Sequence, residues 1–454
     1  MGISEDHWPT AEKWIEILRD RKGTTNMNNK ILDSILSREN LNEAFKQVKR
    51  NKGSAGVDSM SIDEAFIYIK ENKAEIIQAI KSRKYTPKPV LRVEIPKPNG
   101  GIRLLGIPTV VDRVIQQAIV QVLTPIFDPT FHDNSFGFRP GKNAQGAILK
   151  FLEYCNAGYD WVVDIDLESF FDKVNHDRLM NLVSRKVDDG DVISLIRKYL
   201  VSGVMINGKL HETKVGTPQG GNLSPLLSNI MLNELDIELE NRGLRFVRYA
   251  DDCVIMVKSE FAARRVMRSI TKFIEDKLGL TVNTTKSKVT KPNDPDMKFL
   301  GFGFYYHEEE QSYRALPHSK SIEQFEYNLH KLSRRSWGVS MAYRLNKLNQ
   351  VIRGWVNYFK IGSMKRALNR ITSHLRFRLR MCIWKQWKTG KNRVRSLIKL
   401  GMSPYWAHRY GNSSKGIARI ARSWVMHTTV TNKKLAQKGL VSPYEYYLKQ
   451  IHVI

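Results

Sequence analysis

The run Phe246-Val247-Arg248-Tyr249-Ala250-Asp251-Asp252-Cys253-Val254-Ile255-Met256-Val257 constrains the fold more than any other segment of this 454-residue chain. Two apolar, β-branched stretches flank adjacent aspartates, which predicts a tight hairpin with buried strands and a charged tip. A second strand, Trp161-Val162-Val163-Asp164-Ile165-Asp166, alternates so that Asp164 and Asp166 share one face. Carboxylates about 4 Å apart repel by roughly 4 kcal/mol at an effective dielectric near 20, so such a group invites a divalent cation. An Asp-Asp tip is also ordinary turn chemistry. The second carboxylate strand, with Phe170-Phe171-Asp172 behind it, is what favours the cation. Mg2+ takes oxygen ligands and keeps substrate phosphates in its shell. Two such ions about 3.5 to 4 Å apart clamp the attacking and leaving oxygens of an in-line phosphoryl displacement. Charge alone does not separate Asp164 from Asp166.

The charge balance points to a polyanionic partner. The chain holds 73 Lys plus Arg against 45 Asp plus Glu, a formal net charge of +28. From Lys331 to Ile454 there are 27 bases and one acid, Glu445, so that stretch carries nearly all of the excess. A solvated surface normally mixes both signs, and such a region repels itself unless a polyanion neutralises it. It is also rich in aromatics, among them Trp337, Trp355, Tyr358, Phe359, Trp384, Trp387, Tyr405, Trp406 and Trp424, so it reads as a folded nucleic-acid grip rather than a disordered arm. Three scattered cysteines, Cys155, Cys253 and Cys382, leave no disulfide framework or zinc spacing and fit a reducing, cytoplasmic compartment. No stretch reads as the roughly 18 apolar residues of a membrane span, and no secretory leader is recognisable, so membrane insertion and secretion are not expected.

Helical periodicity is expected over 28–48 and 61–83, then a hairpin around Asn99-Gly100-Gly101 that sets Lys97 and Arg103 on opposite sides of one turn. Helices over 110–123, 144–156 and 225–240 and strands at 246–249 and 253–257 give a mixed α+β, palm-like layout. After Phe299–Tyr305 the chain reads as almost wholly helical. Gly216-Thr217-Pro218-Gln219-Gly220-Gly221 offers glycines for close backbone approach and a glutamine that both donates and accepts. Lys286 follows a short strand, where a lone loop lysine is ordinarily solvated.

Taken together, these residues resemble a known family. Tyr249-Ala250-Asp251-Asp252 resembles the YxDD box of reverse transcriptases, and Thr217-Pro218-Gln219-Gly220 with Ser224-Pro225-Leu226 resembles their template- and nucleotide-positioning motif. The resemblance to group II intron reverse transcriptase/maturases, of the compact bacterial class C type, extends through Arg92–Pro98, Gly106–Thr109, Ser135–Pro140, Asp166–Asp172 and Trp355–Phe359. It implies that Asp166, Asp251 and Asp252 are the metal-binding catalytic carboxylates; Asp166 is preferred to Asp164 because Phe171 stands five residues after it, where the family carries a bulky aromatic. That aromatic is similar to the gate that rejects a ribose 2′-hydroxyl. Lys97 and Arg103 resemble the residues holding the triphosphate, Gln219 the residue contacting the incoming nucleotide, and Lys286 the lysine that protonates pyrophosphate.

The resemblance implies a right-hand polymerase of fingers, palm and thumb with a mostly helical, basic C-terminal region. The expected divisions are an extension at 1–26 with no recognised counterpart, fingers and palm over 27–310, a thumb/maturase domain over 311–390 and a nucleic-acid-binding region over 391–454. It further implies two Mg2+ ions, with Mn2+ able to substitute, an RNA template with a DNA or RNA primer, dNTPs, the parent intron RNA and a target DNA, and no membrane. Leu91 stands where relatives often carry a second arginine, which throws more of the triphosphate grip onto Lys97 and Arg103. No Cys- and His-rich nuclease module is recognisable, so no endonuclease activity is expected. The rival readings are a non-catalytic RNA-binding splicing cofactor, which the complete aspartate set disfavours, and a retron or diversity-generating reverse transcriptase, which the Trp355–Phe359 segment disfavours.

Overall fold

Strand and helix propensities along the chain resolve into an α+β protein in the computed structural model, which describes residues 30–96, 100–217 and 220–451. The chain divides into two compact units, one of residues 30–154 with 158–290, the other of 155–157 with 291–451. The strands are β1 (Val90–Pro96), β2 (Ile102–Ile107), β3 (Trp161–Ile165), β4 (Val204–Ile206), β5 (Lys209–His211), β6 (Arg245–Tyr249), β7 (Asp252–Val257), β8 (Lys288–Thr290), β9 (Phe302–His307) and β10 (Ser312–Pro317).

The aspartate-bearing hairpin is β6–β7, and it lies in a four-stranded sheet of order β6-β7-β3-β8. β3 runs antiparallel to β7, with Asp164 opposite Val254 and Ile165 opposite Cys253. Phe246, Val247, Val254, Ile255, Val162 and Val163 are wholly buried. Burying each such side chain is worth about 1.5–3 kcal/mol, which makes this sheet a rigid base for its charged end. Helices Ser224–Asn241 and Glu260–Phe273 pack against it. A second sheet, β2-β1-β4-β5, pairs the β1–β2 hairpin from Leu91 opposite Ile107 to Pro96 opposite Ile102.

Two helices replace the single one expected over 28–48. Helix Lys30–Ile35 stops, and Arg38–Asn51 restarts where the Ser37 side chain accepts from the Asn40 backbone N–H. A serine oxygen satisfies one of the orphan donors at a helix start, so a cap within an unbroken apolar pattern splits it. Ser61 and Glu64 form a reciprocal capping box that starts helix Ile62–Lys81. Segment Val110–Thr130 is, contrary to the sequence reading, long and apolar enough to cross a membrane by length and composition, but 67% of that window is buried inside the protein. Asp112 within it bonds Tyr85 and Thr109, at 2.7 and 2.6 Å.

The β9–β10 hairpin belongs to the C-terminal compact unit, which takes up the chain again at residue 291. Phe302 packs on Phe359, ring centroids 4.8 Å apart, and Tyr358 donates to the Leu300 carbonyl at 2.9 Å. Residues 391–451 form no separate unit. Helix Pro443–Ile451 lies on helices Met341–Phe359 and Lys365–Gln386, and Glu445 pairs with Arg376 at 2.7 Å. This region folds almost without acids because buried arginines are satisfied by backbone carbonyls. Arg344 donates to the carbonyls of Leu332, Arg334 and Trp337, and Arg380 to that of Val430. The expected extension at 1–26 lies outside the described residues.

Candidate active site

β6 ends at Tyr249, which pairs with Asp252, so Ala250 and Asp251 alone make the turn. Ala250 has φ +58°, a left-handed conformation that costs a residue with a Cβ about 1–2 kcal/mol. The surroundings hold it there. Arg248, 0% exposed, donates to the Ala250 carbonyl at 2.9 Å and to Asn229 Oδ1 at 3.0 Å. The same guanidinium forks onto Asp236, at 2.7 and 2.5 Å. Asn229 and Asp236 both stand on helix Ser224–Asn241, so that helix grips the tip from beneath. On the other side, Gly137 lies so close that a Cβ there would sit 2.2 Å from the Ala250 nitrogen. Asn229 donates to the Gly137 carbonyl at 2.8 Å, and the Phe136 N–H donates to the Arg248 carbonyl at 2.8 Å. The Ser135–Pro140 motif thus acts as a buttress for the hairpin tip.

Asp166 follows β3 directly. Its backbone N–H donates to Ser287 Oγ at 3.0 Å and its carbonyl accepts from the Asn283 N–H at 2.8 Å. Continuing the β3–β7 register beyond Ile165 and Cys253 sets Asp166 across from Asp252. The aspartates feel one another. Burial lifts the Asp251 carboxyl above its ordinary range, and the negative charge of Asp166 raises it further, while Arg103 and Arg248 pull it down. Burial also pushes Asp164 up to about 7, with Asp252 and Asp166 adding to the rise and Lys288 opposing it. The Lys286 ammonium lies 3.3 Å from both Asp166 oxygens.

Asp166, Asp251 and Asp252 therefore stand at the same end of the β6-β7-β3-β8 sheet, with Asp164 two residues before Asp166 on β3. This all-oxygen donor set suits a hard divalent cation, whose charge would offset the burial, and the lesser mutual repulsion, that raise Asp164 and Asp251. Among the described residues, no three Asp, Glu, His or Cys side chains are drawn together closely enough to hold an ion.

Of the expected nucleotide contacts, Lys97 and Gln219 lie outside the described residues. Arg103 is exposed on β2, opposite Ile95, and its charge reaches Asp251. Phe171 packs edge-on against buried Phe170, centroids 5.1 Å apart, and its carbonyl accepts from the Thr217 N–H. Its side chain borders a cavity of about 370 Å3 together with Arg92, Gly106, Val215, Gly216 and Thr217. Gly216, at φ +91°, leaves no room for a side chain, because a Cβ would meet the Phe171 and Asp172 carbonyls at 2.9 Å. Arg92 Nε and Thr217 Oγ1 are buried without a hydrogen-bond partner among the described residues. Two unspent polar atoms on residues that line this cavity beside Phe171 suit a polar ligand.

The sequence reading missed Arg248, Asp236 and Asn229. A usable signal was there: an arginine inside the apolar strand Phe246-Val247-Arg248-Tyr249 has to be paired when that strand is buried. It also underweighted Arg92, which shares the cavity with Phe171.

Comparison with known proteins places the chain among reverse transcriptases and maturases. Residues 95–304 match the family described as reverse transcriptase (RNA-dependent DNA polymerase). Residues 322–401 match the group II intron maturase-specific domain. The group II intron-encoded protein LtrA of Lactococcus lactis subsp. cremoris is 32% identical over 324 residues, covering 57% of this chain and 54% of LtrA. The chain thus spans about half of that relative's length. Protein YkfC of Escherichia coli (strain K12) is 33% identical over 312 residues, covering 60% of this chain and 82% of YkfC.

Proposed function

We propose that this chain, which belongs to the group II intron reverse transcriptase and maturase family, is an RNA-directed DNA polymerase that extends a primer with dNTPs and also binds intron RNA to assist splicing and mobility. Its partners on this reading are an RNA template with its primer, the parent intron RNA and a target DNA, in the bacterial cytoplasm. What supports it is the strand register, which brings Asp166 to the same sheet end as the Asp251-Asp252 tip, on a sheet whose turn is held from beneath.

Divalent metal use is general in this family, and we assign the site Mg2+, two ions, with Mn2+ able to substitute. Asp166, Asp251 and Asp252 would hold them. Bound there, the ions supply Lewis acidity for a primer 3′-hydroxyl and charge neutralisation for pyrophosphate. The protein's own groups do the rest. Arg103 and Lys97, with Arg92 from the cavity wall, bind and orient the triphosphate through charge-assisted hydrogen bonds. Phe171 closes the space a ribose 2′-hydroxyl would need. Gln219 contacts the incoming nucleotide. Lys286, 3.3 Å from the Asp166 oxygens, would give its proton to the departing pyrophosphate oxygen.

Primer extension on an RNA template tests the reading. Synthesis that needs a divalent cation and dNTPs is expected, together with competition by intron-derived RNA. Tight RNA binding without any synthesis would support the splicing-cofactor reading instead.

A further inference from the structure

Beyond residue 401, where the match to the maturase-specific domain stops, the surface carries a cluster of aromatic rings that neither the polymerase site nor the hydrophobic core uses. It is built by two short helices, Pro404–Gly411 and Trp424–Thr429. Trp406 stands at its centre. Trp424 meets it nearly perpendicularly, centroids 5.3 Å apart at 87°, and Tyr405 lies 5.0 Å away at 75°. Tyr410 closes the group, 6.1 Å from Trp424 at 81°. The Arg409 guanidinium lies 5.1 Å over the Trp406 ring and donates to the Tyr405 hydroxyl at 3.3 Å.

Rings that serve only to pack are consumed by their neighbours. Phe325 and Trp355 in the same unit lie parallel, 4.3 Å apart at 8°, and Phe325 is fully buried. The 404–424 cluster differs, for Tyr405 remains 65% exposed and Trp424 46% exposed. Edge-to-face contact braces a ring without covering both of its faces, so these two rings are held in fixed orientation and still open to a further planar partner.

Charge identifies that partner. Arg409, Lys415, Arg419 and Arg422 are all exposed beside or between the two helices. The one acid from Lys331 to the C-terminus, Glu445, is paired with Arg376. An apolar protein surface or a peptide would not require such an excess of cations, whereas a nucleic-acid strand brings both a phosphate at every step and a planar base. A duplex hides its base faces in the stack; only unpaired nucleotides can lay them on aromatic side chains.

We propose that Tyr405, Trp406, Arg409 and Trp424 form a stacking platform for unpaired nucleotides of RNA or DNA, distinct from the polymerase site. This rests on the nucleic-acid-binding reading of the chain and names the strand state that this surface takes. Aromatic rings supply the sequence-tolerant contact, and the surrounding cations hold the phosphates.

The test measures affinity of the full chain for 20-nucleotide single strands, oligo(dT) and oligo(U), and for a DNA hairpin and an RNA hairpin of equal length, across a salt series. Tyr405→Ala and Trp424→Leu are expected to weaken single-strand binding roughly tenfold and leave hairpin binding unchanged. No charge is removed, so the slope of log affinity against log salt stays at the wild-type value. Tyr405→Phe, which keeps the ring, is expected to retain binding. A larger loss on oligo(U) than on oligo(dT) identifies RNA as the source of the strand, and the reverse identifies DNA. Equal losses on single strands and hairpins, or none on single strands, overturn the platform. If Trp424→Leu fails to fold, Tyr405→Ala decides alone, since that ring lies mostly in solvent. Wild-type protein that binds no nucleic acid at all would sink the broader reading, an outcome separate from variants that bind as wild type does.

Discussion

Arg248 and Asp236 form a wholly buried, two-pronged ion pair beneath the hairpin tip, at 2.7 and 2.5 Å, and the same guanidinium holds the Ala250 carbonyl. The pair does two jobs that mutation can separate. Asp236→Asn leaves a buried cation without its counter-charge, and breaking such a pair from one side costs about 3–5 kcal/mol. Chemical denaturation should register that loss. The double variant Arg248→Met with Asp236→Leu, which removes both charges, is expected to keep most of the stability. It should still lose DNA synthesis, because the guanidinium that holds the Ala250 carbonyl in its left-handed turn is gone and only the Gly137 buttress remains. Full synthesis by the double variant would show that the tip needs no such support.

Asp164 gives a pH dependence. Its carboxyl, pushed up to about 7 by burial first and by Asp252 next, holds a proton in the folded protein that an unfolded chain with a carboxyl near 3.9 has released. Between those values the folded state binds more protons, so its stability falls as pH rises from about 4 to about 7 and stays lower above. Asp164→Asn removes that loss. In chelator, its Tm should exceed that of the wild type at pH 8 and nearly equal it at pH 4. A gain of the same size at both pH values would contradict the assignment.

Phe171 is held by Phe170 on one side and borders the cavity that contains Arg92 and Thr217 on the other. Phe171→Ala should therefore admit ribonucleotides, reducing discrimination between dNTP and rNTP by about 10- to 100-fold, read as the ratio of their kcat/KM values. Unchanged discrimination would remove it as the steric gate.

The cations beyond Lys331 fall into two classes with different expected behaviour. Arg344 is buried on three backbone carbonyls, so Arg344→Gln should lower the Tm sharply. Arg419 is exposed, and Arg419→Gln should leave the Tm alone while making the salt dependence of RNA affinity shallower by about one unit if it meets a phosphate. A flat salt titration of the wild type would contradict an electrostatic grip altogether.

Much of this was legible in the sequence for identifiable reasons. The hairpin tip and the Trp161–Ile165 strand were visible because β-branched runs with a period of two have few alternatives, whereas the choice of Asp166 over Asp164 came only from the resemblance to reverse transcriptases, in which an aromatic stands where Phe171 does. What holds the tip was hidden. Arg248 is tied to Asp236 twelve residues away and to the loop at Asn134–Gly137, which is a tertiary fact. The packing of the β9–β10 hairpin into the C-terminal compact unit was hidden too, because there Phe302 finds Phe359, a contact between residues far apart in sequence. The charge count read the C-terminal stretch as all grip, whereas Arg344 and Arg380 are spent on carbonyls inside it. Composition counts charges and cannot tell which of them face water.

The proposal gives DNA synthesis on RNA to Asp166 and the Asp251-Asp252 tip. Its most direct test is primer extension on an RNA template in Mg2+ by the wild type and by Asp251→Asn, with RNA affinity measured on both. Extension by the wild type is expected, with a loss of more than about a hundredfold in the variant and RNA affinity unchanged between them. Extension by Asp251→Asn at the wild-type rate would contradict it.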